Sequence, residues 1–156
     1  MISFTIPGTP VPQGRPRFNS ITKRTYYDDK TTEYRERVKA YAILAQNGNE
    51  PLSGALAMIV DCMFPIPASW PKYRKQAALQ GQWHTDKGDI DNCIKAVADS
   101  LNGVVYDDDK QIAVLVGFKH YSLEPETRVS VFELNHIENP RWLIANIKRA
   151  VEAGTL

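Results

Sequence analysis

The stretch Asp89–Gly103, with the sequence DIDNCIKAVADSLNG, predicts a helix more clearly than any other part of the chain. The helix is predicted over residues 90–101, where apolar residues recur at helical spacing and form one stripe on a single face. The members of this stripe are Ile90, Ile94, Val97, Ala98 and Leu101. Asn102 and Gly103 favour a left-handed end to the helix. The stretch therefore combines a core-facing helix with two aspartates, Asp89 and Asp91, at its start.

The rest of the chain alternates strands and helices around this helix. Strands are predicted over 2–6, 56–64, 104–106, 111–121 and 128–134, and further helices over about 31–46, 72–80 and 140–153. The last two strands are expected to pair as an antiparallel hairpin through a turn at 122–127. We therefore predict one α+β domain over residues 1–156, with a single mixed sheet packed against helices. The packing of the C-terminal helix, within 140–156, stays open.

The composition is that of a globular protein, with 156 residues, 43% apolar residues, 24% charged residues and a net charge of +1. The apolar runs are too short to cross a bilayer, and the N-terminus lacks the basic segment of a secretory signal. The two cysteines, Cys62 and Cys93, form neither a disulfide framework nor a CxxC metal pair. We therefore expect a cytoplasmic protein with no membrane partner.

The charges are distributed unevenly along the chain. Residues 1–40 contain eight Lys or Arg against four acidic residues, whereas residues 81–111 contain three against seven. Such asymmetry can place a cationic contact surface beside an anionic pocket. An acidic centre that suits a divalent metal, next to a basic arm, indicates a protein that cuts phosphodiester bonds.

Two acidic clusters supply the candidate metal ligands. Asp89 and Asp91 open the helix, and Asp107–Asp109 follow it after a short connection. Carboxylate oxygens from two segments are what a hard cation such as Mg²⁺ prefers. If residues 104–106 form a strand antiparallel to the helix, the second cluster returns towards the first. Both carboxylates of the first pair can reach one ion only if Asp89 lies outside the helix, at the bend before it.

Each cluster also has a purely structural explanation. An aspartate before an apolar-periodic run is a preferred N-cap, and Asp91 in the first turn is favoured by the helix dipole. Three consecutive aspartates are more often a solvated turn than a ligand set. Lys95 lies four residues after Asp91, a spacing that suits an intrahelical ion pair. In the alternative interpretation, its ammonium faces the pocket and offsets charge on phosphorus. Asp99, about 12 Å further along the helix axis than Asp91, is expected to pair with Lys95 or to lie on the surface.

The basic residues near the N-terminus are candidates for contact with DNA phosphates. They are Arg15, Arg17, Lys23 and Arg24, with Phe18 and Tyr26 interleaved. Lys87, in the loop before Asp89, is a further candidate. The alternative is that these loop cations are simply solvated.

Several motifs resemble those of RusA-type Holliday junction resolvases. The residues that carry the resemblance are Asp89-Ile90-Asp91-Asn92, Lys95-Ala96, Asp99-Ser100-Leu101-Asn102-Gly103 and Asp108-Asp109-Lys110-Gln111-Ile112, together with Gly8-Thr9-Pro10-Val11-Pro12-Gln13-Gly14-Arg15-Pro16-Arg17-Phe18. The likeness spans about residues 7–130. Gly88 departs from the family, in which many members have proline or a basic residue before the first aspartate.

The resemblance implies an α+β homodimer that makes paired, Mg²⁺-dependent nicks in four-way DNA junctions. Carried over by position, the metal-binding and catalytic carboxylates are Asp89, Asp91 and Asp109, and the catalytic lysine is Lys95. Asp108 is a possible additional ligand. Two alternatives stay open: a nuclease for flaps and other branched DNA, and a DNA-binding protein without catalysis.

Overall fold

The computed structural model describes residues 1–81, 85–86, 88–134, 145 and 149, and a four-stranded sheet forms its centre. The strands are β1 (Ile2–Pro7), β2 (Arg17–Asn19), β3 (Arg24–Tyr26), β4 (Leu56–Pro65), β5 (Ile112–Ser122) and β6 (Glu126–Glu133). The helices are α1 (Asp29–Gln46), α2 (Lys72–Leu79) and α3 (Ile90–Leu101), and a 3₁₀ turn spans Asp109–Gln111.

The central sheet has the strand order β1-β6-β4-β5 and is mixed, because β4 and β5 are parallel while the other neighbours are antiparallel. The predicted α+β class with a mixed sheet is therefore confirmed. β4 lies inside the sheet, as its nearly continuous run of buried side chains requires. β5 is an edge strand, and its inward side faces α3.

The predicted hairpin between the last two strands is wrong. β4 separates β5 from β6 and pairs with both along most of its length. The short connection between β5 and β6 crosses the end of β4 instead of forming a hairpin turn. The physical reason is that the most apolar strand takes the central position, where both of its edges are paired and both faces are covered.

The stripe of α3 packs into the core formed by α1 and one face of the sheet. Val97 and Leu101 are fully buried, and Cys93 shares a hydrogen bond with Cys62 of β4. Both thiols are free and buried, as expected for small core residues. Gly117 of β5 lies directly under Ile94, so a side chain there would collide with the helix. The glycine lets α3 approach the edge strand closely.

Residues 104–106 form a tight turn rather than the predicted strand. The N–H groups of Val104 and Val105 both donate to the carbonyl oxygen of Leu101. Tyr106 makes only isolated bridges, to Leu52 and Asn102. The left-handed residue after α3 is Gly103, with φ of 70°. The chain therefore turns back through β5, and not through a separate short strand.

The β2–β3 ribbon forms a second, two-stranded sheet that the sequence analysis did not predict.

Of the predicted C-terminal helix, 140–153, the structure describes only Ala145 and Arg149, both of which are helical. The single-domain prediction for 1–156 therefore stays a prediction. Within the described part, no helix is long and apolar enough to span a membrane.

Candidate active site

Asp89 occupies the N-cap position of α3 but does not cap the helix. Its backbone is extended, with φ of −71° and ψ of 134°, and its carbonyl oxygen accepts the first helical hydrogen bond from Cys93. Its carboxylate makes no capping hydrogen bond and is exposed, and among the described residues its one side-chain partner is the Asn92 amide, 3.5 Å from Oδ2. The bend predicted before the helix is therefore present. The carboxylate remains available for a ligand.

A cleft of about 390 Å³ runs along α3 and is bounded by carboxylates from two elements. Asp91 and Asp99 come from α3, and Asp109 comes from the 3₁₀ turn. The remaining wall is apolar and is formed by Ile90, Ile94, Ala98, Ile112 and Leu115. No hydrogen bond or ion pair within the described part of the chain reaches the carboxylates of Asp91 and Asp109. Both are exposed and open to solvent.

Lys95 lies on the same cleft and pairs with Asp99. Its Nζ is 3.6 Å from Asp99 Oδ1, and its side chain is 59% exposed. The pairing with Asp99 is confirmed, and the alternative pairing with Asp91 is not formed. Asp99 is anchored in turn, since it accepts a hydrogen bond of 3.0 Å from the Gln13 amide. The ammonium thus lies beside the cleft in an ion pair whose lysine side chain is exposed. Such a pair is weak enough for Lys95 to change its partner.

The three consecutive aspartates, Asp107–Asp109, have different surroundings. Asp108 caps the 3₁₀ turn: Oδ1 accepts from the Lys110 N–H at 3.0 Å, and Oδ2 lies 3.4 Å from Lys110 Nζ. The Lys110 N–H lowers the pKa of Asp108, because it stabilises the charged carboxylate. Asp107 is exposed. Asp109 alone of the three lines the cleft.

The buried hydroxyl of Tyr106 is affected by the charge of Asp109. This hydroxyl donates to the carbonyl oxygen of Ala98 at 2.9 Å. Burial raises the pKa of Tyr106, and the charges of Asp109 and Asp99 raise it further. Asp109 borders the cleft together with Ala98 and Asp99, which belong to the second half of α3. Asp91 borders the same cleft nearer the start of the helix.

The direction of β5 explains this arrangement. Its residues contact α3 in reverse order: Leu115 shares the cleft with Ala98, Gly117 meets Ile94, and Lys119 reaches Gly88. β5 therefore runs antiparallel to α3, and the 3₁₀ turn that precedes it sits beside the later turns of the helix. The predicted return through residues 104–106 is wrong, but Asp91 and Asp109 still share one cleft.

The donor set of the cleft suits Mg²⁺. This ion usually binds one or two carboxylates and completes its shell with water and substrate phosphate. Asp91 and Asp109 are two such carboxylates, and no described residue forms a hydrogen bond or ion pair with either carboxylate. Among the residues that the structure describes, no three acidic, histidine or cysteine side chains are grouped closely enough to hold a metal by themselves. Asp89 does not line the cleft, so its role as a third ligand stays a prediction. The same holds for Asp108, whose oxygens already have partners.

The predicted basic arm is largely the β2–β3 ribbon. Arg17 opens β2, Arg24 opens β3, and Lys23 sits in the turn between them with φ of 55°. These side chains are exposed, and so is Arg15 just before the ribbon. Phe18 is 63% exposed and Tyr26 is 48% exposed on the same ribbon. Lys87 lies outside the described residues, so its predicted contact with DNA stays a prediction.

Sequence reasoning missed two residues that position the start of α3. Lys119 and Tyr121 of β5 both bond to the segment before Asp89. Alternation along β5 carried a signal, because a lysine occupies a core-facing position between Gly117 and Tyr121. A lysine on the inner face of an apolar strand needs a partner, and here the partners are backbone carbonyl groups.

Comparison with known proteins identifies the family. Residues 7–132 match the family model described as Endodeoxyribonuclease RusA. The chain belongs to the RusA endodeoxyribonuclease family. The matched range contains the basic ribbon, α3 and the 3₁₀ turn, and hence every described residue of the candidate site. The resemblance seen in the sequence motifs is therefore confirmed.

A curated protein is similar to this RusA-family chain over most of its length. The uncharacterized protein YqaN of Bacillus subtilis (strain 168) is 34% identical over 140 residues. The alignment covers 86% of this chain and 97% of YqaN. The similarity thus extends over nearly the whole of YqaN and not over one isolated motif.

Proposed function

We propose that this protein is a Mg²⁺-dependent endonuclease that resolves four-way DNA junctions by paired symmetric nicks. The observation that carries the proposal is the α3 cleft, where Asp91, Asp109 and Lys95 come together in a member of an endodeoxyribonuclease family. The proposed site needs a metal between an acidic pocket and a phosphate. The basic ribbon supplies a surface for the phosphates of the DNA arms.

The proposed metal-binding residues are Asp91 and Asp109, with Asp89 as the third. Bound there, Mg²⁺ would polarise the scissile phosphate and lower the pKa of a bound water. The cleft contributes geometry: the turn before β5 and the first turn of α3 present carboxylates from two sides. The apolar wall excludes water from one side and so strengthens the electrostatic interactions in the cleft.

Lys95 is proposed to offset the negative charge that develops on the phosphate. Its ammonium already lies beside the cleft in an ion pair with Asp99, of which the lysine side chain is 59% exposed and the aspartate side chain 19% exposed. An incoming phosphate oxygen can replace that carboxylate, because the ammonium is open to solvent and such ion pairs contribute only about 1 kcal/mol. Asp99 then acts as the resting partner of Lys95. Its own position is fixed by the hydrogen bond from Gln13.

A homodimer is part of the proposal. Resolving a four-way junction requires two symmetric cuts, and a two-fold dimer places one site on each of two opposing strands. We further propose that the protein acts in the cytoplasm, which is in keeping with its two free buried thiols.

The ribbon is proposed to bind DNA backbone phosphates without reading bases. Replacing Arg15 and Arg17 with glutamine is expected to weaken junction binding and to lower the slope of log K against log salt by about 2, since each lost phosphate contact removes about 0.9. Binding measured by fluorescence anisotropy at several salt concentrations tests this. Replacing Lys72 and Lys75 of α2 with glutamine removes the same charge outside the ribbon. This control variant should keep the wild-type slope of log K against log salt. Equal slopes for all three proteins would contradict the role of the ribbon.

The direct test of the proposed function is cleavage of a labelled synthetic four-way junction during a Mg²⁺ titration. We expect paired nicks at symmetric positions that depend on Mg²⁺ and stop with a chelator. Three-way and flap substrates run in parallel separate a junction resolvase from a broader branched-DNA nuclease. Tight junction binding without cleavage at any Mg²⁺ or Mn²⁺ concentration would identify a DNA-binding protein without catalysis and overturn the proposal.

A further inference from the structure

The segment that leads into α3 is held by contacts from three directions. Gly88 has φ of +91°, and a side chain there would place its first carbon 2.9 Å from Pro12 Cγ. Phe64, at the end of β4, packs against the same glycine. The backbone before Asp89 is therefore confined between the N-terminal loop and the sheet. This confinement and the positive φ explain why glycine stands here.

Lys119 contacts this segment through its ammonium group. Nζ donates to the carbonyl oxygen of Gly88 at 2.6 Å and to that of Asp86 at 3.3 Å. The Gly88 carbonyl belongs to the peptide that joins Gly88 to Asp89. The short hydrogen bond from a charged donor therefore fixes the plane of that peptide and, with it, the direction of the Asp89 side chain.

Tyr121 holds the same segment two residues further along β5. Its hydroxyl donates to Asp86 Oδ2 at 3.0 Å. Burial, followed by the Asp86 hydrogen bond, raises the pKa of Tyr121 to about 12, so the hydroxyl is a donor at neutral pH. The Tyr121 ring packs edge-on against the Trp70 ring, with ring centroids 5.0 Å apart. The Arg74 guanidinium stacks on the same Trp70 ring, 3.6 Å from its centroid.

We propose that Lys119 and Tyr121 are positioning residues, which set the orientation of Asp89 by anchoring Gly88 and Asp86. This inference rests on the proposed function, because it assigns Asp89 to the metal. Neither residue touches the reacting atoms. Residues that hold a ligand from behind typically change metal affinity by about 10- to 100-fold when they are removed. Lys119 is expected to contribute more than Tyr121, since its donor is charged and bonds the backbone next to Asp89.

The first measurement needs neither metal nor activity. In the metal-free protein, the backbone ¹⁵N order parameters of Gly88 and Asp89, measured by NMR relaxation, should fall in Lys119→Met, and less so in Tyr121→Phe. The matched control is Lys75→Met, which also removes a lysine that donates to a backbone carbonyl oxygen, that of Ala68 at 2.7 Å. The order parameters of these two residues should be unaltered in the control. Unchanged order parameters in Lys119→Met would overturn the anchoring.

The second measurement is Mn²⁺ binding by electron paramagnetic resonance, followed by junction cleavage over a Mg²⁺ titration. Lys119→Met should weaken Mn²⁺ binding about tenfold and raise the Mg²⁺ needed for half-maximal cleavage by a similar factor. Lys119→Arg, which keeps a charged donor, should restore most of the affinity. Tighter Mn²⁺ binding in Lys119→Met would show that its charge merely repels the metal, and would overturn the inference.

The outcomes separate this inference from the proposed function. If the wild-type protein binds Mn²⁺ and cleaves junctions while both β5 variants do the same with equal affinity, the positioning role fails and the nuclease stands. If the wild-type protein neither binds Mn²⁺ nor cleaves, the proposed function fails, and the inference fails with it. Should Lys119→Met not fold, Tyr121→Phe decides, because it keeps the ring against Trp70 and removes only the hydroxyl.

Discussion

Replacing Asp91 with asparagine is expected to lower the rate of junction cleavage by at least about a thousandfold. Loss of a metal-binding carboxylate removes several kcal/mol of transition-state stabilisation, and 1.4 kcal/mol corresponds to a factor of about ten. Asp91 lines the α3 cleft, is exposed, and has no structural bond within the described residues to lose. The substitution should therefore leave the fold intact, which thermal unfolding can verify.

Junction binding by the Asp91 variant should be unchanged or tighter. The reason is electrostatic, because the substitution removes a negative charge that repels the phosphate backbone. Single-turnover cleavage and anisotropy binding on the same junction separate the two effects. Asp107→Asn is the control. Asp107 is exposed and lies outside the cleft, and its substitution makes the same change of charge. Wild-type cleavage in the Asp91 variant would end the nuclease proposal.

The helix that carries the site was predictable in full. The predicted span of α3, residues 90–101, agrees with the structure. Its apolar residues fit the period of a helix and not the alternation of a strand, and Gly103 follows the end of the helix. The strands 2–6 and 56–64 were also found within one residue at each end. These elements are set by local pattern, which a sequence shows directly.

The arrangement of the elements depended on long-range competition that the sequence does not show. β5 and β6 are neighbours along the chain, yet β4 separates them because its apolar side chains are buried on both faces. The β2–β3 ribbon was missed because its strands are three residues each, too short for a periodic signal. The family match covers residues 7–132, which form most of this arrangement, but it does not give the shape of the candidate site.

The same distinction applies to the candidate site. The acidic residues were found from their clustering, whereas their separate roles required coordinates. Asp89 sits where an N-cap belongs and makes no capping bond, while Asp108 makes the capping bond that the sequence assigned to no residue in that turn. Residue type and position alone thus gave the candidate carboxylates, but they did not tell a carboxylate with a structural bond from one that lines the cleft without such a bond.

The adjacent pair Asp108 and Asp109 provides the sharpest test of this division. Asp109→Asn is expected to reduce junction cleavage by about a thousandfold, by the same loss of metal-bound charge as at Asp91. Asp108→Asn should keep cleavage within about threefold of wild type, because asparagine also caps helical turns well and the exposed pair with Lys110 contributes little. The two variants change the same side chain by the same atoms, one residue apart.

Single-turnover cleavage and Mn²⁺ binding by both variants give the readout. Asp109→Asn should lose Mn²⁺ affinity, and Asp108→Asn should keep it, with both proteins unfolding at wild-type temperatures to within a few degrees. The reverse pattern would assign the metal to Asp108 and make Asp109 the surface residue. Equal and severe loss in both, with a shifted unfolding temperature, would show that the 3₁₀ turn itself is what the site needs. Only the first pattern agrees with a cleft that Asp109 lines together with Asp91 and Lys95, while Asp108 caps the turn.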